Sequence, residues 1–316
     1  MTTASGLIAD IGGTNARFAL AGPDGQPTRA RVLKCADHPG PAEAALAYLQ
    51  GVDPADRPRR GAFAVASPVL GDEVDLTNHV WRFSVEETRA RLGLDALTVV
   101  NDFSAVAMSV RALGPSSLVL AGGGLAVPDT PMAVLGPGTG LGVSALVPAP
   151  GDLWVPLATE GGHVTMAAAN EKEEAVLSVL RTQFDHVSAE RVLSGPGLVN
   201  LHSALCELAN RPAEPLSPAV ITERALAGSD PLCQETLDVF FEMLGTVAGN
   251  LVLSLGARGG LFIAGGIVPQ LVQAFLLSGF RKRFEDKGRF QTYLAPIPAW
   301  VVTHPYPAFV GLATLV

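Results

Sequence analysis

The sequence predicts an α/β fold in two domains, and three observations carry that prediction. In the N-terminal third, short apolar runs alternate with amphipathic segments, the pattern of strands and helices packed in layers. A chain of 316 residues with 48% hydrophobic and only 16% charged side chains is long and apolar enough for two cores. One arrangement also occurs twice: an apolar run, a turn rich in Gly and Thr, and another apolar run, first at Asp10–Arg17 and again at Gly136–Gly142. A recurrence without a short fixed period is not a solenoid; it indicates a duplicated scaffold facing itself across a cleft.

The elements follow in order. Strands are expected at Leu7–Ala9, Ala16–Ala21, Ala30–Cys35, Ala62–Ala66 and Leu97–Val100, with helices at Glu43–Gln50 and Val85–Leu92. The second helix is bounded by Ser84 with Glu87 three residues on, a capping box, and by Gly93 at its end. After Val100 come Asn101-Asp102 and a helical pattern, Phe103 to Leu113, so Asp102 falls at a strand's carboxyl end beside a helix N-terminus. Gly114-Pro115 reads as a boundary, and new strands begin near Met132. Helical patterns then cover Glu171–Gln183, Pro218–Ala227 and Pro231–Leu255, the last stopped by Gly256. A buried strand, Leu261–Ala264, leads into Gly265-Gly266; the chain closes with a strand at Trp300–Val302 and a helix at Ala308–Leu315. That helix is expected to pack back on the first domain. The expected division is residues 1–113 plus 300–316 in a small α/β domain and 114–299 in a large one.

Composition excludes several classes of function. A formal net charge of −8 opposes nucleic-acid binding. The most apolar helical stretch, Val239 to Leu255, is interrupted by Glu242 and Asn250, and no basic residue precedes Arg17, so neither a membrane span nor a signal peptide is expected. A cytoplasmic protein with small-molecule partners is the expectation. Cys35, Cys206 and Cys233 are odd in number, far apart and never in Cys-x-x-Cys, so their spacing predicts neither a disulfide framework nor a cysteine zinc site.

The paired turns carry the chemistry. Glycine lets successive backbone N–H groups approach a phosphate without a Cβ in the way, and such amides form an anion-binding nest. Asp10, at the end of its strand, repels phosphate but suits a hydrated Mg²⁺, which takes carboxylate and water oxygens. Gly-Lys occurs nowhere, which excludes a Walker A loop, and there is no His-Arg-Asp catalytic loop. The spacing from Gly136 to Gly142 is wrong for a Rossmann fingerprint, and a strand follows it rather than a helix.

Asp10-Ile-Gly-Gly-Thr-Asn15, Pro137-Gly-Thr-Gly-Leu-Gly142 and Ala264-Gly-Gly-Ile267 stand in the order of the two phosphate turns and the adenosine turn of the sugar kinase, Hsp70 and actin superfamily. With Asn101-Asp102-Phe103, Glu160-Gly-Gly-His163 and the run Ser188 to Gly197, the chain resembles the bacterial ATP-dependent glucokinases that lack a zinc motif, from about Gly6 to its end. The resemblance implies a two-domain actin-like ATPase fold, a duplicated ribonuclease H-like scaffold with an interdomain cleft. It also implies phosphoryl transfer from MgATP to the 6-hydroxyl of glucose, and a homodimer. Asn101, Asp102, Glu160, His163 and Glu190 are then expected on the sugar, with Asp102 as catalytic base. Gly12, Gly13, Thr14, Asn15, Gly138 and Thr139 are expected on the phosphates, Gly265 and Gly266 on the adenosine, and Asp10 on Mg²⁺ through water. Taken singly, Asp102 reads as a helix cap, and Glu160 and Glu190 as surface charges. A kinase for mannose, fructose or an N-acetylhexosamine, and a non-catalytic sugar sensor, are the alternative readings.

Overall fold

The computed structural model describes residues 6–76 and 80–316. The chain forms two compact units. The first takes the chain up to Ser117 together with Ala149–Ala158 and His304–Val316; the second holds Leu118–Pro148 and Thr159–Thr303.

The first unit begins with β1 (Gly6–Ile11), β2 (Asn15–Ala21), β3 (Pro27–Lys34), α1 (Pro41–Leu49), β4 (Arg60–Val65), a small hairpin of β5 (Glu73–Asp75) and β6 (Arg82–Ser84), α2 (Val85–Leu92), β7 (Ala96–Asn101) and α3 (Asp102–Ser109). Its sheet runs β3-β2-β1-β4-β7. β1 and β2 form an antiparallel hairpin, while β1 pairs parallel with β4 and β4 parallel with β7. Apolar residues fill both faces of β1, so the strand reads as a continuous hydrophobic run, as a strand covered on two sides should. On one face Phe18 stacks on Tyr48 of α1, ring centroids 5.6 Å apart, and meets Phe63 edge-on. Each such fully buried ring contributes about 1.5–3 kcal/mol relative to exposure. The expected cap of α2 is present: Ser84 Oγ accepts from the Glu87 N–H at 3.0 Å, and Gly93 takes φ +66°.

Beyond α3 the chain passes through β8 (Leu118–Leu120), β9 (Met132–Pro137), β10 (Leu141–Ala149) and β11 (Leu153–Ala158). Next come α4 (Glu171–Arg181), α5 (Gly195–Leu208), α6 (Pro218–Leu226), α7 (Pro231–Leu255) and β12 (Leu261–Ile263). The last elements are α8 (Val272–Leu277), α9 (Phe280–Glu285), α10 (Gln291–Leu294), β13 (Ala299–Val302) and α11 (Pro307–Ala313). The strands of the second unit run β10-β9-β12-β13-β8. Here too a hairpin, β9 with β10, offers its first strand to a parallel partner, β12, which pairs parallel with β13. The duplication read from the two glycine turns is thus a duplication of strand order. The core of this unit is the helical layer of α7, with Phe240, Phe241, Phe275, Phe280 and Phe284 all buried. α7 is long and apolar enough to cross a membrane, but 72% of its most apolar window is buried inside the protein.

β13, read from sequence as part of the strand-helix return to the first unit, pairs with β12 and β8 inside the second; the return begins at His304. α11 does pack on the first unit. Gly311 lies against the backbone of Ala105 in α3, where an added Cβ would overlap the Ala105 carbonyl oxygen.

Candidate active site

In the first unit, parallel register sets one edge of the sheet. Ile11 pairs with Val65 and Val65 with Asn101, so the first glycine turn and the β7–α3 junction leave the sheet in the same row. Two strand spacings separate them, roughly 10 Å. The turn is closed by the Gly12 N–H donating to Asn15 O at 3.0 Å, and held from behind by the Cys35 N–H on Thr14 O at 2.9 Å and the Cys35 thiol on Gly12 O at 3.4 Å. These bonds consume the inward carbonyls and leave Gly13 and Thr14 at the tip.

Asp10 and Arg17 face each other across the hairpin, Nη1 to Oδ2 3.2 Å. Burial pushes the Asp10 carboxyl above the usual aspartate range, and the Arg17 guanidinium pulls it back down. Some 26% of the Asp10 side chain still reaches solvent, and among the described residues only Arg17 bonds it. A carboxylate with one oxygen steadied and the other open suits outer-sphere contact with a hydrated divalent cation.

At the β7–α3 junction the capping role falls to Asn101. Its Oδ1 accepts from the N–H groups of Phe103 at 2.9 Å and Ser104 at 3.3 Å, while its amide reaches Ser67 O at 3.5 Å. Asp102 is the first residue of α3, and its Oδ1 accepts from the Phe103 N–H at 2.8 Å. The helix therefore has a cap without Asp102, whose Oδ1 is held by the backbone at the start of the helix.

In the second unit the second and third turns lie backbone to backbone. The Ala264 N–H donates to Leu135 O at 2.8 Å and the Ile267 N–H to Pro137 O at 3.1 Å. A Cβ on Gly136 would meet the Ala264 carbonyl carbon at 2.5 Å, and Gly265, with φ +82°, faces Pro137 O equally closely. Gly266 faces open space, which leaves its backbone accessible to a ligand.

The Glu160 to His163 segment is a single short turn, the His163 N–H donating to Glu160 O at 3.0 Å; the side chains are exposed and 3.9 Å apart, Nε2 to Oε2. Glu190 is not a loose surface charge. Its N–H donates to Gly162 O at 2.9 Å, and its Oε2 accepts from the Leu141 N–H at 2.8 Å. One residue thus joins the Glu-Gly-Gly-His segment to the second glycine turn.

One participant escaped the sequence reading. α5 starts at Gly195, with Ser194 Oγ accepting from the Gly197 N–H at 3.0 Å, and the Gly195 N–H donates to Gly138 O at 2.8 Å. The positive end of a 14-residue helix so abuts the second glycine turn. Its signals were Ser194 as cap, Pro196 in the first turn, and apolar Leu198, Leu201 and Leu205 at helical spacing.

The glucokinase family model matches residues 7–316. The chain belongs to the glucokinase family. A glucokinase of Paramagnetospirillum magneticum is 62% identical over 310 residues, covering 98% of this chain and 97% of the relative. That of Aromatoleum aromaticum is 52% identical, covering 98% and 93%. The crystal structure of a glucokinase from an Antarctic psychrotroph superposes with a TM-score of 0.89 at 37% identity, over 98% of both chains. The two-domain actin-like fold of the glucokinases is therefore the fold of this chain.

Proposed function

We propose that the glucokinase reaction, transfer of the γ-phosphoryl group of ATP to the 6-hydroxyl of glucose, is carried out here with Asp102 as the base. The observation that supports this most is the register row Ile11–Val65–Asn101, which leaves roughly 10 Å between the first phosphate turn and Asp102. A γ-phosphoryl group and an acceptor hydroxyl fit that span.

In this reading Asn101, Glu160, His163 and Glu190 accept and donate hydrogen bonds around the sugar ring and fix which hydroxyl faces the phosphate. Asp102, held by the Phe103 N–H, takes the proton of the 6-hydroxyl as the new O–P bond forms and the bond to the ADP oxygen breaks. Phosphoryl transfer passes through a loose transition state, so orientation contributes more than base strength. The amides of Gly12, Gly13, Thr14 and Asn15 and those of Gly138 and Thr139 hold the phosphates, with the α5 N-terminus adding its partial charge behind Gly138. Gly265 and Gly266 lie against the adenosine. Mg²⁺, when bound, supplies charge neutralisation on the phosphates, and Asp10 orients its waters. The working form is a cytoplasmic homodimer with no nucleic-acid or membrane partner.

The test is a coupled ADP-release assay across glucose, mannose, fructose and N-acetylglucosamine with MgATP. Glucose is expected to give the highest kcat/KM. A faster hexose would reassign the sugar, and no sugar-dependent ADP release would return the chain to the sensor class.

A further inference from the structure

Away from the phosphate turns, the helical layer of the second unit brings together residues whose sequence spacing suggests nothing. His202 and Cys206 lie four residues apart on α5, hence on one face. Asp230 caps α7 and Cys233 sits in its first turn. The ligand atoms of His202, Asp230 and Cys233 all lie within 4.8 Å of one another. His202 and Cys233 are buried, and only 16% of the Asp230 side chain is exposed. Cys206 Sγ adds a second thiol 3.7 Å from His202 Nε2.

Asp230 Oδ1 accepts from the Leu232 N–H at 2.9 Å, the Cys233 N–H and thiol also bond the carboxylate, and Arg224 stands 3.8 Å from Oδ2. Burial pushes the imidazole of His202 down. Glu214 and Asp230 favour positive charge near the imidazole, while Arg211 and Arg224 oppose it.

We propose that His202, Asp230 and Cys233, with Cys206 as fourth donor, form a structural site for Zn²⁺. Imidazole, carboxylate and thiolate in a buried, closed arrangement are the ligands of a tetrahedral structural zinc. Binding replaces the thiol protons, which pass to the buffer. The ion would pin the middle of α5 to the start of α7, and α5 is the helix whose first residue holds Gly138.

Full-length protein stripped with chelator and titrated with Co²⁺ is expected to show a thiolate charge-transfer band and tetrahedral d–d bands that saturate at one equivalent and disappear on adding Zn²⁺. Zn²⁺ should raise the Tm of the stripped protein. Asp230→Asn keeps the helix cap but loses the anionic ligand, and should weaken Co²⁺ binding by about 10-fold or more. Cys233→Ser should weaken the charge-transfer band, since Cys206 remains as a thiolate, and the double variant Cys206→Ser/Cys233→Ser should abolish it. No saturable band in the stripped wild type, an unchanged band in Cys233→Ser, or a Tm indifferent to Zn²⁺ would each overturn the site and leave a buried polar cluster held by its own hydrogen bonds.

Discussion

Gly140→Ala tests the proposed link between the second glycine turn and the sugar. A Cβ at this position would lie closer to Glu190 Oε2 than the 3.0 Å limit for real Cβ contacts, and 3.2 Å from Glu190 Cδ. The backbone of Gly140 does not require positive φ, so alanine adopts it, and the neighbour is the mobile end of a side chain. The carboxylate gives way, retreating by about 1 Å to reach ordinary contact distance. It thereby loses the 2.8 Å bond from the Leu141 N–H. A hydrogen bond to a charged acceptor is worth about 1.5–3 kcal/mol. A 1 Å misplacement of a positioning group costs up to about 10²-fold. We therefore expect kcat/KM for glucose to fall roughly 10- to 100-fold, or about 1.4–2.7 kcal/mol of transition-state stabilisation, with the KM for ATP within about 2-fold of wild type. The assay is coupled ADP release with each substrate varied in turn. A raised KM for ATP with unchanged kcat/KM for glucose would refute the reasoning, because Glu190 would then not be the route by which this turn is felt.

Asp102→Asn should lower kcat by about 10²–10⁴-fold while glucose affinity, measured by calorimetry, stays near wild type; near-normal turnover removes the base assignment. Asp10→Asn separates function from stability. Because burial raises the folded-state pKa of Asp10 above its unfolded value, its contribution is favourable below the unfolded pKa and is lost as pH rises through the folded one. At neutral pH the asparagine variant should thus show an equal or higher Tm with weakened Mg²⁺ dependence; a Tm several degrees lower would mean that the Arg17 pairing dominates. Gly311→Ala drives a Cβ into the Ala105 carbonyl, a backbone atom that cannot step aside, and overpacking of this kind costs about 1–3 kcal/mol. Denaturant unfolding should show the loss in its midpoint, and an unchanged midpoint would mean that α3 and α11 slide apart freely.

What the sequence disclosed was local. Ser84, Glu87 and Gly93 fixed α2 because a cap is decided by neighbours in the chain. The turns at Gly12 and Gly138 were legible for the same reason, and Asn101-Asp102 could be set at the end of a strand from the apolar run before it. The contact of Gly136 with Ala264 and the bond from Leu141 to Glu190 join distant segments, and no local pattern encodes them. α5 was missed because Gly195-Pro196-Gly197 reads as a breaker, although proline in the first turn after a serine cap opens a helix. β13 was legible as a strand but not by sheet, since Trp300–Val302 is apolar enough to sit in either. The cluster at His202 lay hidden because its donors come from two helices.

The first unit joins both ends of the chain, and this sets a timetable for its birth. The five strands of its main sheet emerge early from the ribosome, whereas α11, which packs on α3, β1 and β4, emerges after the second unit. At about 5–20 residues per second, the stretch from Ser117 to His304 takes roughly 10–40 s to translate. For that interval the nascent sheet stands with one apolar face covered only in part, by α3, while the second unit is free to fold ahead of it. The part made first is completed last, so a nascent-chain holdase should find its binding surface in β1, β4 and α3, and release it only when Phe309 and Leu312 arrive.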